Sequence, residues 1–176
     1  MSEFMELSGD VLLNEKQIEK RVFELAASIN RDFAGKEPVI IAVLNGAYIF
    51  AADISRRLDF KYHLDFVNIK TTSADRTGTV KHSDFLMDTD LEGKDVIVLD
   101  DIFDSGETAN FLKKTISAKN PESIFFCIFI KKVHNRSIHN VDLHYVGFEL
   151  PDRWLVGYGM DYDGNYRGLP YISYVE

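Results

Sequence analysis

Cysteine is almost absent. Cys127 is the single one in 176 residues, and it sits inside the apolar run Ile124–Ile130. One thiol excludes an internal disulfide framework and argues against a zinc cluster. With no adjacent charge to lower its pKa, Cys127 reads as a buried core residue. Long apolar runs are missing too, since no stretch reaches the roughly 18 residues that a membrane span needs. Basic runs are lacking: Lys plus Arg total 20 against 28 for Asp plus Glu, a net charge of −8. That balance speaks against non-specific nucleic-acid binding, which needs a cationic surface. It leaves room for a small anionic ligand in one locally positive pocket. No internal repeat, low-complexity tract or linker interrupts the chain. Met1–Asp10 is polar and mildly acidic, unlike a secretory leader. What is present is ordinary globular composition, 45% apolar and 27% charged. These features predict one soluble, cytoplasmic domain over 1–176, with a core and a cleft, and neither a membrane nor a nucleic acid as partner.

Apolar periodicity organises the chain. Ile18, Val22, Leu25, Ala26, Ile29 and Phe33 recur at helical spacing, with Asn14 as cap and Gly35 and Pro38 as stop. Val39–Leu44 is an uninterrupted apolar run, the pattern of a strand buried on both faces. An Asn45-Gly46 turn leads into a second helix carrying Ala47, Phe50, Ala51, Ile54 and Leu58 on one face. Leu64–Lys70, Val96–Leu99 and Ser123–Ile130 are further strand candidates, and a third helix starts near Gly106. Thr71–Asp84 has no periodicity and is long for a plain connection, which predicts a lid or binding loop. The tail, Tyr145–Val175, holds two apolar pieces broken by Gly and Pro. Strands alternating with helices imply a mostly parallel α/β sheet, whose ligands bind beyond the carboxyl ends of the strands.

At one such end lies the most informative stretch, Val96–Thr108. The strand delivers Asp100 and Asp101, Asp104 follows, and a Ser105-Gly106 bend opens a helix. A helix N-terminus offers unpaired N–H groups and the positive end of a dipole, and the Ser105 and Thr108 hydroxyls add donors. Together they suit a phosphate. The carboxylates suit ribose hydroxyls or a divalent cation on a polyphosphate. A nucleoside triphosphatase also ends a strand in Asp, but the Gly-x-x-x-x-Gly-Lys-[Ser/Thr] loop is missing. A nucleophile elbow at Ser105 lacks its preceding glycine.

The stretch resembles the phosphoribosyl-pyrophosphate motif of type I phosphoribosyltransferases. From about Val11 onward the chain is similar to the hypoxanthine (hypoxanthine–guanine) phosphoribosyltransferase family, with Val146–Tyr162 pointing to its 6-oxopurine branch. The resemblance implies a type I phosphoribosyltransferase fold: a mostly parallel central sheet flanked by helices, a small hood from the terminal segments (about 146–176) and a mobile loop (about 71–84). It implies a purine-salvage reaction: a 6-oxopurine base plus phosphoribosyl pyrophosphate gives a nucleoside 5′-monophosphate, IMP or GMP, and pyrophosphate, with Mg²⁺.

By that resemblance Asp100 and Asp101 hold the ribose hydroxyls, directly or through Mg²⁺, and Asp104 is the carboxylate near purine N7, the candidate general base. Ser105, Gly106, Glu107 and Thr108 cradle the 5′-phosphate, provided the Glu107 side chain points away. Lys131, just past the fourth strand, contacts the purine 6-oxygen; an ammonium offers only donors and so selects an oxopurine. Trp154 stacks on the base and Leu155 bonds its edge through the backbone. Asp161 is a second Mg²⁺ ligand, Arg167 contacts pyrophosphate, and a dimer or tetramer is expected.

Two places depart from the family pattern. Asn45-Gly46 stands where Lys-Gly is usual, at a strained and often cis peptide that binds pyrophosphate. Lys70–Asp75 lacks the usual Ser-Tyr of the mobile loop, which predicts a slower or leakier enzyme. His134, His139 and His144 share no helix face and read as surface residues. Two alternatives stay open: a non-catalytic regulator sensing phosphoribosyl pyrophosphate on the same fold, and a xanthine-preferring relative.

Overall fold

Helix α1 (Glu15–Asp32) begins at a reciprocal cap. Asn14 Oδ1 accepts the Gln17 N–H at 3.0 Å, and Gln17 Oε1 accepts the Asn14 N–H at 2.9 Å. Such a cap stabilises a helix by about 1 kcal/mol. The structure, a computed structural model, describes residues 6–71, 80–84, 89–134, 139 and 141–176. After α1 come β1 (Val39–Leu44), α2 (Tyr48–Ser55), β2 (His63–Thr71), β3 (Val80–Asp84), β4 (Asp95–Phe103) and α3 (Glu107–Ser117). Then follow β5 (Ser123–Val133), β6 (Tyr145–Pro151), β7 (Trp154–Val156) and β8 (Ser173–Val175).

Six strands form the main sheet in the order β3-β2-β1-β4-β5-β6. All neighbours are parallel except β2 and β3. This is the expected mostly parallel sheet. Alternation explains why its central strands read as continuous apolar runs. Ile40, Ala42, Ile97, Leu99, Cys127 and Phe129 pack with Val22, Leu25 and Ile29 of α1 and with Phe50 and Ile54 of α2. The intervening Val39, Ile41, Val96, Val98, Phe126 and Ile128 pack with Ala109, Leu112 and Ile116 of α3. Each such side chain, fully buried, stabilises the fold by about 1.5–3 kcal/mol. Cys127 is fully buried, and burial pushes its thiol far above the ordinary range.

Three sequence expectations shift in register. Val80–Asp84, expected as part of a loop over 71–84, is an antiparallel strand on β2; residues 72–79 of that loop lie outside the described residues. It was missed because pairing at a sheet edge is made by backbone, while Val80-Lys81-His82-Ser83-Asp84 shows no apolar alternation. The fourth apolar strand runs on to Val133 rather than ending at Ile130. Tyr145–Pro151, counted within the hood, is instead β6 of the main sheet.

The hood begins with β7, which pairs antiparallel with β8. The N-terminal segment joins it through Leu7 opposite Val175 and Leu13 opposite Ile172. Buried Ser173 fixes the seam, donating from Oγ to the Asp10 carbonyl at 2.7 Å. Among the described residues, no helix is long and apolar enough to cross a membrane.

Candidate active site

Beyond the carboxyl ends of β4 and β5 lies a cavity of about 660 Å³, roofed by the hood. Asp100 and Asp101 form its depth where β4 ends. Asp100 is only 5% exposed, and its Oδ1 accepts the Asp101 N–H at 3.0 Å. Burial, then the neighbouring Asp101 charge, push the Asp100 carboxyl well above the usual range. Burial raises Asp101 as well, against an opposing pull that includes the Arg167 charge. Two adjacent carboxylates, one buried and one half-buried, that repel each other are a donor set suited to a hard divalent cation.

Behind Asp101 the chain passes through Asn45 and Gly46, and the Leu44–Asn45 peptide is cis. A Cβ on Gly46 would overlap the Asp101 carboxylate, and one on Gly159 would overlap the Gly46 carbonyl. Glycine at both positions lets the Gly159 and Gly46 backbones pack closely under the Asp101 side chain. Asn45 and Gly46 therefore support the site from beneath rather than line the cavity.

Past Asp104 the chain bends at Gly106 (φ 86°) into α3. A Cβ on Gly106 would come within 3.0 Å of the His139 carbonyl and of the Phe103 ring. The bend turns the first amides of α3 toward the cavity, where Ser105, Gly106, Glu107 and Thr108 line one wall. His139 Nε2 lies 3.2 Å from Glu107 Oε1, so the one acidic side chain of this wall is partnered.

Asp104 is held at both oxygens. Lys132 Nζ donates to Oδ2 at 2.9 Å, and His134 Nε2 lies 2.6 Å from Oδ1. Burial alone would raise the Asp104 carboxyl; Lys132 and His134 outweigh it and hold it below the usual range. Lys132 also lies 3.6 Å from Asp152. The donor atoms of Asp104, His134 and Asp152 fall within 4.8 Å of one another, and the cation among them is the Lys132 ammonium.

Lys131 is placed elsewhere. Its ammonium donates to Glu149 Oε1 on neighbouring β6 at 2.8 Å, and the residue does not line the cavity. Because β5 continues to Val133, consecutive residues point to opposite faces, and Lys132 is the lysine presented to the site. Of the histidines expected at the surface, His144 is exposed, with its ring edge-on to Phe125 at 4.7 Å; His139 is half-buried and holds Glu107, and the His134 side chain is only 7% exposed. Sequence reasoning missed Lys132, His134, His139 and Asp152. The available signal was that the strand pattern does not stop at Ile130.

Trp154 and Leu155 form the facing wall. Trp154 is 46% exposed; its Nε1 donates to the Asp161 carbonyl at 3.0 Å, and its ring meets Tyr162 edge to face. Leu155 is buried within β7. Asp161 reaches the same cavity, with Oδ1 on Arg167 at 2.8 Å and Oδ2 accepting the Gly164 N–H at 2.7 Å. Arg167 also donates to the Gly159 carbonyl at 2.7 Å, which ties this loop to the glycine contact beneath Asp101.

Comparison with known proteins gives concordant matches. The phosphoribosyl transferase domain model matches residues 8–163. The hypoxanthine-guanine phosphoribosyltransferase of Mycobacterium avium is 37% identical over 94% of this chain and 85% of its own. The hypoxanthine phosphoribosyltransferase of Escherichia coli (strain K12) is 33% identical over 97% of both. A crystal structure of a hypoxanthine-guanine phosphoribosyltransferase from Bacillus anthracis, with HEPES in the active site, superposes with a TM-score of 0.89 at 41% identity, covering 98% of this chain and 99% of that one.

Proposed function

The chain belongs to the phosphoribosyl transferase family, and from that membership we propose the reaction its cavity performs: transfer of the 5-phosphoribosyl group from phosphoribosyl pyrophosphate to hypoxanthine or guanine. The products are IMP or GMP and pyrophosphate, which makes this a purine-salvage enzyme. The observation that carries the reading is a single cavity lined by an adjacent carboxylate pair, an amide-rich helix start and an exposed Trp154 opposite a lysine-held Asp104. Each of these groups meets one part of the two substrates.

The start of α3, from Ser105 to Thr108, receives the 5′-phosphate through backbone N–H groups, since anions bind at such a start. Asp100 and Asp101 take the ribose hydroxyls. The same pair fits Mg²⁺, which would neutralise charge on the departing pyrophosphate. Asp161 would become a further ligand by yielding its Arg167 partner, and Arg167 would then turn to pyrophosphate. The backbone at Asn45 and Gly46 supports the pyrophosphate side.

The purine enters between Trp154, which stacks on it, and the backbone of Leu155, which bonds its edge. The role expected of Lys131 passes to Lys132, because Lys132 is the ammonium in the cavity. It donates to the purine 6-oxygen and disfavours an amino group there. Purine N9 bonds to ribose C1′ as the C1′–oxygen bond breaks and its electron pair leaves with pyrophosphate. Asp104 accepts the N7 proton. Holding both reactants in line supplies much of the rate. We assign this activity to a single cytoplasmic domain, working as a dimer or tetramer.

The test is direct. Purified protein with Mg²⁺ and phosphoribosyl pyrophosphate is given hypoxanthine, guanine, xanthine or adenine in parallel. Nucleotide is expected from the first two. Product from xanthine alone would move the assignment to that base, and product from none would overturn it.

A further inference from the structure

We propose that His134 is a positioning residue for the reaction, orienting the Asp104 carboxylate once the purine has drawn Lys132 away. This rests on the function just assigned. The geometry begins with the two oxygens of Asp104, which have different partners. Oδ2 is held by Lys132, and Oδ1 by His134. Lys132 has two calls on its ammonium, since the purine 6-oxygen draws the same group toward itself and away from Asp104. When Lys132 turns to the base, Oδ2 turns to N7, and the contact at Oδ1 helps to keep the carboxylate from rotating.

Several features suit His134 to this task. Its side chain is 7% exposed, so the ring is largely withdrawn from solvent. It lies near the end of β5, on the same short segment as Lys132, so one strand positions both partners of Asp104. An ionised carboxylate only accepts hydrogen bonds, so the Nε2 that meets Oδ1 at 2.6 Å carries a hydrogen. A donor already used in this way does not compete for the N7 proton. That proton passes to Oδ2, while the electron pair of the broken C1′–oxygen bond leaves on pyrophosphate.

Among the described residues, the charged groups around Asp104 are Lys132 and His134 from β5 and its end, and Asp152 from the turn after β6. Asp152 shares Lys132, so when that lysine departs the local charge becomes more negative. Without the His134 donor, Asp104 would then bind a proton more readily and lose its capacity to accept one from N7.

The test compares pH profiles of kcat at saturating hypoxanthine, which report the base-bound complex, in wild type, His134→Ala and His134→Gln. Gln can place an N–H near the position of Nε2. His134→Ala is expected to lower kcat about tenfold and to move the acid limb upward by about one pH unit. His134→Gln should keep the limb near that of wild type. Affinity for phosphoribosyl pyrophosphate with Mg²⁺, read by calorimetry, should be unchanged in both. An acid limb in His134→Ala that coincides with wild type overturns the proposal. So does a limb in His134→Gln displaced as far as in His134→Ala. If His134→Ala does not fold, His134→Asn, too short to reach Oδ1, takes its place with the same outcomes. A wild-type enzyme that makes no nucleotide sinks the assigned function instead, before any variant is read.

Discussion

Lys132 and Asp104, 28 residues apart in sequence, meet at 2.9 Å across the ends of two neighbouring parallel strands. In the reaction proposed above, this pair joins the group that would read the base to the group that would take its proton; Lys132 also lies 3.6 Å from Asp152, and His134 meets the other Asp104 oxygen. The arrangement separates Lys132 from its neighbour Lys131, whose ammonium pairs with Glu149 outside the cavity.

Substitution should separate the two lysines. Lys132→Ala is expected to lower kcat/KM for hypoxanthine by about 100-fold or more, since it removes a charge-assisted bond to substrate and the partner of Asp104. Lys131→Ala should stay within about threefold of wild type, because an exposed ion pair contributes under about 1 kcal/mol. Steady-state kinetics on the two variants checks this; equal losses would return the base-reading role to both.

The carboxylate pair makes stability depend on pH in an unusual direction. Asp100 ionises at an ordinary pKa when unfolded and well above it when folded. Its contribution is therefore full below the unfolded value and is lost as pH rises through the folded one. Asp100→Asn should remove that loss and raise the melting temperature of the ligand-free protein at neutral pH. The same variant should lose binding of phosphoribosyl pyrophosphate with Mg²⁺. Thermal melts at pH 5 and pH 7.5 show the first effect, because the difference between the proteins should shrink in acid.

Gly46→Ala tests the close approach beneath the acidic pair. Its methyl group would overlap the Asp101 carboxylate, so that side chain or the backbone must shift. Overpacking of this kind costs about 1–3 kcal/mol. Catalysis should fall more sharply than stability does, because displaced Asp101 is in the site. A melt together with turnover measures both; a fully active Gly46→Ala enzyme would show that Asp101 can move freely.

Trp154→Ala should raise KM for the purine by about 10- to 100-fold, in line with roughly 1–3 kcal/mol for an aromatic stacked on a base. Nearly half of the residue is exposed, so the melting temperature should change little. Initial rates at varied hypoxanthine, beside a thermal melt, distinguish loss of stacking from loss of fold.

The parts of this molecule legible in its sequence are those governed by local chemistry. The runs Val39–Leu44 and Val96–Leu99 are apolar at every position because helices cover both faces of the sheet. Asn14 announces α1 because the cap is made with a residue three positions away. Asp100, Asp101 and the Ser105-Gly106 bend fall where strand meets helix, so a short window suffices to see them. Lys132 and His134 were hidden for a different reason. Their identities as partners of Asp104 depend on how far β5 extends, and that is fixed by pairing with β4 and β6, not by their own residue types. Edge strand β3 was hidden by the same rule, since backbone pairing leaves no apolar signature.

The solitary thiol at Cys127 has a practical consequence. It is sealed inside the sheet with its ionisation suppressed, so maleimide and iodoacetamide reagents should leave the native protein unmodified. A cysteine introduced on the outside would then be the lone labelling point, and a fluorophore or spin probe could be attached there without first stripping out a native competitor.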